Sequence, residues 1–417
     1  MKYFDINLDL SEDDIALRDA ARQFAEQEMR PVAKLLDRMS AEEGIAEDSP
    51  LWPFLKKAYS LGYHKILLPE YYGGLGLSPL QVNLVYEELG WGSFGLGVLL
   101  AVVSFPFYLI CVTNNDEMIE KFVKPFCDCT DGSIRGCWAI TEPGHGSDVI
   151  AVGEEYFESP KMKGDIRAKP EGEQWVINGQ KSAWVSGGTI ATHALLHIQI
   201  DPSKGFAGNG VCLVPLDLPG VSKGKPLEKI GQRDLNQGEI YFDDVRIPKD
   251  YMFVDPDFYV EMLDIILAAA NLCMSCWSIG LSRAAFDEAL SYTKERIQGG
   301  RPLIEHYTTK QRVFDMFARV ETARAISRAA INLNLNISPP HVEYSLVAKT
   351  QCTEMAFKNT HDAIQLLGGN GLTKEYSAEK LFRDARSTLI EDGNNETLSR
   401  HGGHILMETY PRAPLDF

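Results

Sequence analysis

Glu391 and Asp392 stand side by side in "LIEDGNNETL", residues 389–398. Apolar Ile390 leads straight into the pair, and Gly393 allows a sharp turn directly after it. Acidic pairs usually belong to a solvated face. An apolar lead-in and a glycine exit instead present a carboxylate inside a cleft, where it can act as a general base. Intrinsic acidity does not choose between the two, because the reference pKa values are about 3.9 for aspartate and 4.3 for glutamate. Neighbours in an extended segment point to opposite sides, so one of the two should face the reacting group. The other would pair with a cation, and Arg383 and Arg386 lie closest in sequence.

Two further groups could carry chemistry. Cys273 and Cys276 form a C-x-x-C inside the apolar run "IILAAANLCMSCWSIG". No second pair stands at zinc spacing, so they read as helix-core cysteines and no metal site is expected. Gly368, Gly369 and Gly371 follow a helical stretch with no strand before them, which excludes a Rossmann phosphate loop.

The elements that must position these groups fall in the order α, β, α. Residues 1–134 are helical in pattern: Ser11 and Asp14 make a capping pair, and Ile15, Ala21, Phe24, Ala25 and Met29 follow at helical spacing. Residues 135–250 contain short runs rich in Val, Ile, Trp and Tyr bounded by Gly, Asn, Asp and Pro, which predicts a set of antiparallel strands with Asn178-Gly179 as a hairpin turn. Residues 251–417 return to long helical periods that suit a bundle. The fold class expected is α+β.

The chain has 417 residues and a formal net charge of -17, enough for a large core and unsuited to a nucleic-acid partner. No apolar run approaches the ~18 residues of a membrane span, and the N-terminus lacks a signal core. Eight scattered cysteines suit reduced thiols in a cytoplasm.

Four motifs in this order, "AITEPGHGSD" (139–148), "VINGQKSAWVSGG" (176–188), "FDDVRIP" (242–248) and "QLLGGNGLTKEYSAEKLFRDAR" (365–386), resemble the acyl-CoA dehydrogenases over nearly the whole chain. The resemblance implies bound FAD and an acyl-CoA thioester. A carboxylate then removes the α-proton while hydride leaves the β-carbon for flavin N5. Thr141, Gly146 and Ser147 correspond to residues near the flavin and its phosphates, and Trp184 and Ser186 to its flavin-side wall. Asn394 follows the base. Gln365, Gly368 and Gly369 correspond to a loop reaching the FAD of a neighbouring subunit, which implies a homotetramer built as a dimer of dimers. An electron-transfer flavoprotein is the implied electron acceptor.

Departures from the family pattern matter as much as the matches. Arg296 keeps an FAD-adenosine position, but Gly299 and Tyr307 replace a usual phenylalanine and glutamine. Ala268 and Asn271 replace a usual aspartate and arginine beside the substrate. An alternative base position falls on Ala270, which cannot act as one. The usual glutamate-glycine-threonine aligns with Asp392-Gly393-Asn394, so Asp392 takes the place of the base and Glu391 that of a residue often aromatic. Aspartate is shorter by one C–C bond, about 1.5 Å, which points to a cyclic or branched acyl group, as in alicyclic acyl-CoA dehydrogenases. The altered adenosine contacts leave two alternatives: a partner subunit of a hetero-oligomer binding FAD or substrate, or a non-redox acyl-CoA-binding protein.

Overall fold

A computed structural model describes residues 5, 6 and 9–409. Ser11 caps the first helix, Glu12–Phe24: its hydroxyl accepts from the Asp14 N–H at 3.1 Å, and the Asp14 carboxylate accepts from the Ser11 N–H at 3.0 Å. Ala21, Phe24, Ala25 and Met29 are buried as their spacing predicts. Ile15 is not, at 39% exposed. Asp14 takes the inward position instead, where Gln81 of the Pro79–Gly92 helix donates to it at 2.9 Å. Further helices of this part include Leu51–Ser60, Phe94–Val102 and Phe105–Thr113.

The middle of the chain is one eight-stranded sheet. Its strands are β1 (Gly136–Ala139), β2 (Arg167–Glu171), β3 (Gln174–Lys181), β4 (His193–Gln199), β5 (Asn209–Pro215), β6 (Val221–Pro226), β7 (Gly238–Pro248) and β8 (Met252–Val254). The spatial order is β6-β7-β3-β2-β4-β5-β8, with β1 beside β4. Most pairs are antiparallel, but β1 runs parallel to β4, and β2 meets β4 in parallel at one position. The β2–β3 excursion lets the chain return in its original direction, as a parallel pair requires. The hairpin turn also differs from expectation. Glu171 lies opposite Gln174, so the turn is Gly172-Glu173. Asn178-Gly179 sits inside β3, where its register against β7 shifts. Asn178 is held there by Asp244, whose carboxylate accepts from its amide at 2.9 Å and whose N–H donates back at 3.0 Å. A tertiary partner outweighs the local turn preference.

The C-terminal part is a bundle of Tyr259–Glu295, Tyr307–Asn334 and Val342–Leu367, followed by Ala378–Thr388 and Asn395–Thr409. The 37-residue Tyr259–Glu295 helix is long and apolar enough to cross a membrane by length and composition, against the expectation that no segment would be. It forms the centre of the bundle, with 94% of its most apolar window buried against protein. It crosses the Pro79–Gly92 helix where two glycines meet. A Cβ on Gly280 would lie 2.1 Å from the Glu87 carbonyl oxygen, and one on Gly90 would lie 2.4 Å from that of Trp277. Backbone cannot yield as a side chain can. Gly280→Ala is therefore expected to cost at least about 1–3 kcal/mol, read as a lower denaturant midpoint with an unchanged slope.

Candidate active site

The Ala378–Thr388 helix ends in a turn that delivers the acidic pair. The Ile390 and Glu391 N–H groups donate to Ser387 O at 2.9 and 3.1 Å, and the Asn395 N–H donates to Leu389 O at 3.1 Å. The segment is thus a closed turn, not the extended stretch expected. Asp392 adopts φ 51 and Gly393 φ 93. A left-handed aspartate costs energy that its surroundings must supply. Gly393 is required by close approach as well as by φ, because a Cβ there would lie 2.5 Å from Ile150 Cδ1 and 2.7 Å from Leu398 Cδ2.

Each carboxylate has a different partner set. Glu391 accepts from the Gln232 side-chain amide, and Lys229 and Lys349 lie within electrostatic reach. The expected pairing with Arg383 or Arg386 does not form. Arg383 is committed to Asp37, through two contacts of 3.0 and 2.7 Å, and to Glu379. Gln232 has φ 48, and its N–H donates to Asp384 Oδ1 at 2.5 Å. Asp384 in turn receives Lys380 at 2.6 Å. This buried polar chain fixes the Gln232 amide on Glu391. Burial, then the charge of Asp392, push Glu391 up to about 8. Burial raises Asp392 to about 6, with the Lys349 ammonium opposing it. The Gln232-bound Glu391 is therefore raised further than Asp392, beside which the Lys349 ammonium acts.

Lys349 is the residue that the sequence reading missed. It is wholly buried, and Nζ donates to Gly393 O and Asn395 Oδ1, each at 2.8 Å. One signal was visible: Leu346, Lys349, Cys352, Thr353 and Ala356 follow the inward stripe of one helix, so a lysine occupies a core position. Opposite the turn, the long helix brings Cys273 close enough that the Asp392 charge, after burial and Cys276, helps keep its thiol protonated.

The remaining expected residues fall into three places. Ser147 meets the turn directly, its Oγ accepting from the Asn394 N–H at 3.1 Å. Thr141 and Ser182 share a hydroxyl contact of 2.8 Å, and Gly146 is exposed with no atom within 4 Å of a notional Cβ. Trp184 lies in a turn at 58% exposure, and Ser186 accepts from Gln237 Nε2 at 3.0 Å. Gln365, Gly368 and Gly369 lie at the far end of the Val342–Leu367 helix and are exposed, as is Arg296 at the end of the long helix. Hydroxyls, open glycine backbone and a bare indole face suit a flat cofactor with a diphosphate, so these residues fit FAD in chemistry, with Ser147 the one that contacts the Asp392 turn. Ala268 and Ala270 are buried, clustered with Val149, Ile150 and Leu398. Asn271 turns its amide to Leu267 O at 2.8 Å.

Models of the acyl-CoA dehydrogenase N-terminal, middle and C-terminal domains match residues 11–130, 137–245 and 265–406. The mitochondrial short-chain specific acyl-CoA dehydrogenase of Rattus norvegicus is 31% identical over 94% of this chain and 89% of its own length. Cyclohex-1-ene-1-carbonyl-CoA dehydrogenase of Geobacter metallireducens is 29% identical over 95% of this chain and 99% of its own. The structure of butyryl-CoA dehydrogenase from Megasphaera elsdenii superposes with a TM-score of 0.83 at 24% identity, covering 98% of this chain and all of that one. With three domains in the family's order around one desolvated carboxylate pair, the chain belongs to the acyl-CoA dehydrogenases, a family of FAD-dependent oxidoreductases.

Proposed function

We propose that the protein dehydrogenates an alicyclic or α-branched acyl-CoA, with Asp392 as the base that removes the α-proton. The observation that carries this reading is the left-handed Asp392 at the head of a turn tied to both Lys349 and Ser147. Bound FAD supplies the acceptor for the β-hydride. The chain's part is to hold the thioester so that its α-carbon lies within about 3–3.5 Å of the carboxylate. A short aspartate reaches such a carbon only if the acyl group sits deeper or fills more of the site, as a ring does. Similarity to a relative named for a cyclohexene-carbonyl substrate supports the same choice.

Exposed Gln365, Gly368, Gly369 and Leu372 support assembly through this end of the bundle, and we take the active form to be a homotetramer that passes electrons to an electron-transfer flavoprotein. The buried free thiols favour a reducing compartment, which we assign as cytoplasm. A panel of CoA thioesters, scored by the rate of flavin bleaching under anaerobic conditions, tests the substrate class. Cyclohexane- and cyclohexene-carbonyl thioesters should bleach the flavin at least tenfold faster than octanoyl-CoA. A clear preference for octanoyl-CoA would remove the alicyclic reading and leave the family assignment intact.

A further inference from the structure

Lys349 has no exposed surface. A buried ammonium is tolerated only where its donors and its charge are both answered. Two of its three donors are answered by Gly393 O and Asn395 Oδ1, the acceptors one and three residues beyond Asp392. Asn395 is itself held from the same helix, its Nδ2 donating to Thr353 Oγ1 at 3.1 Å. The lysine thus grips the turn just after the strained residue, where a grip fixes the direction of the Asp392 side chain.

We propose that Lys349 is a positioning residue for the α-proton base: through Gly393 O and Asn395 Oδ1 it holds the left-handed Asp392 turn in place, and it sets a buried ammonium within electrostatic reach of the carboxylate. The inference rests on the assignment of Asp392 as the base. The titratable groups facing this pair are Glu391 on the same turn, Glu354 on the lysine's own helix, Cys273 on the long helix, and Lys229, which acts on Glu391. Lys349 itself is the group whose charge opposes the burial of Asp392, while its own burial lowers the ammonium to about 8.

The test uses FAD-loaded protein and follows exchange of the substrate α-proton with deuterated solvent against pH, a readout separate from flavin reduction. A base works when deprotonated, so exchange in the native protein should fall as pH drops through about 6. Removing an opposing cation raises a carboxylate pKa. In Lys349→Met the acid limb should therefore move up by about 1 unit or more. Lys349→Gln, which keeps donors but loses charge, should move it likewise, and Lys349→Arg should restore it. A lower rate with an unmoved limb in both neutral variants would reduce the lysine to scaffolding and overturn the proposal. So would failure of both to retain FAD while Lys349→Arg retains it with a shifted limb. Exchange that survives in Asp392→Asn would overturn the base itself, and the role of Lys349 with it.

Discussion

Asp392→Asn is expected to slow α-proton removal by about 10²–10⁴-fold while FAD and acyl-CoA remain bound. Asparagine is a clean replacement at this position. It matches aspartate in size and is, like aspartate, among the few side chains that enter the left-handed region without severe cost, so the φ 51 turn should survive. The Lys349 and Ser147 contacts are made to Gly393, Asn394 and Asn395, not to the exchanged group, and remain available. What disappears is the proton acceptor. Glu391→Gln should cost less than about tenfold, because burial and the Asp392 charge push Glu391 up to about 8 and so favour its protonated form more than that of Asp392. The Gln232 contact can be kept by the new amide oxygen. Rapid-mixing kinetics with one acyl-CoA would measure both variants. The reverse ranking would move the base one residue earlier.

The second large effect concerns stability. Glu87, 2% exposed on the Pro79–Gly92 helix, accepts from Arg283 at 2.6 Å and from Arg324 at 2.7 and 3.1 Å. Arg283 lies on the long helix and Arg324 on Tyr307–Asn334, so one carboxylate joins the N-terminal helices to two bundle helices. Glu87→Leu would leave two buried guanidinium groups without their common acceptor, a change that typically costs about 3–5 kcal/mol. Chemical denaturation with FAD present should show the loss. The two arginines and Arg328 hold Glu87 far below the ordinary glutamate range, against its burial. Its folded pKa is depressed, so its contribution is fully present above the unfolded value of about 4.3 and is lost as pH falls through the folded value. The native protein should therefore keep this contribution at mildly acidic pH, and Glu87→Leu should lose less stability on acidification than the native chain.

Local signals were legible wherever local physics decided the outcome. The Ser11 box, the inward stripe from Ala21 to Met29 and the change from helical to strand patterning needed no distant partner. Asn178-Gly179 looked like a turn because its true partner, Asp244, lies 66 residues away. The acidic pair was visible as chemistry, yet its geometry was not. The turn that makes Asp392 left-handed is closed by backbone bonds that span the pair, and the groups that set its protonation come from remote parts of the chain. Gln232 reaches Glu391 across 159 residues, and Lys349 reaches Gly393 across 44. Ser147 of the glycine-rich motif meets the turn at Asn394, whereas Gln365, Gly368 and Gly369 lie at an exposed helix end.

Everything above requires this chain alone to be a working flavoenzyme. The direct measurement is the visible spectrum of the protein expressed by itself, before and after anaerobic addition of a cyclohexane-carbonyl CoA thioester. The account predicts a yellow protein with FAD bound to every chain, bleached on addition of the thioester. Colourless protein that ignores added FAD, and gains flavin only when made together with a sister chain, would contradict it and make this chain a partner subunit.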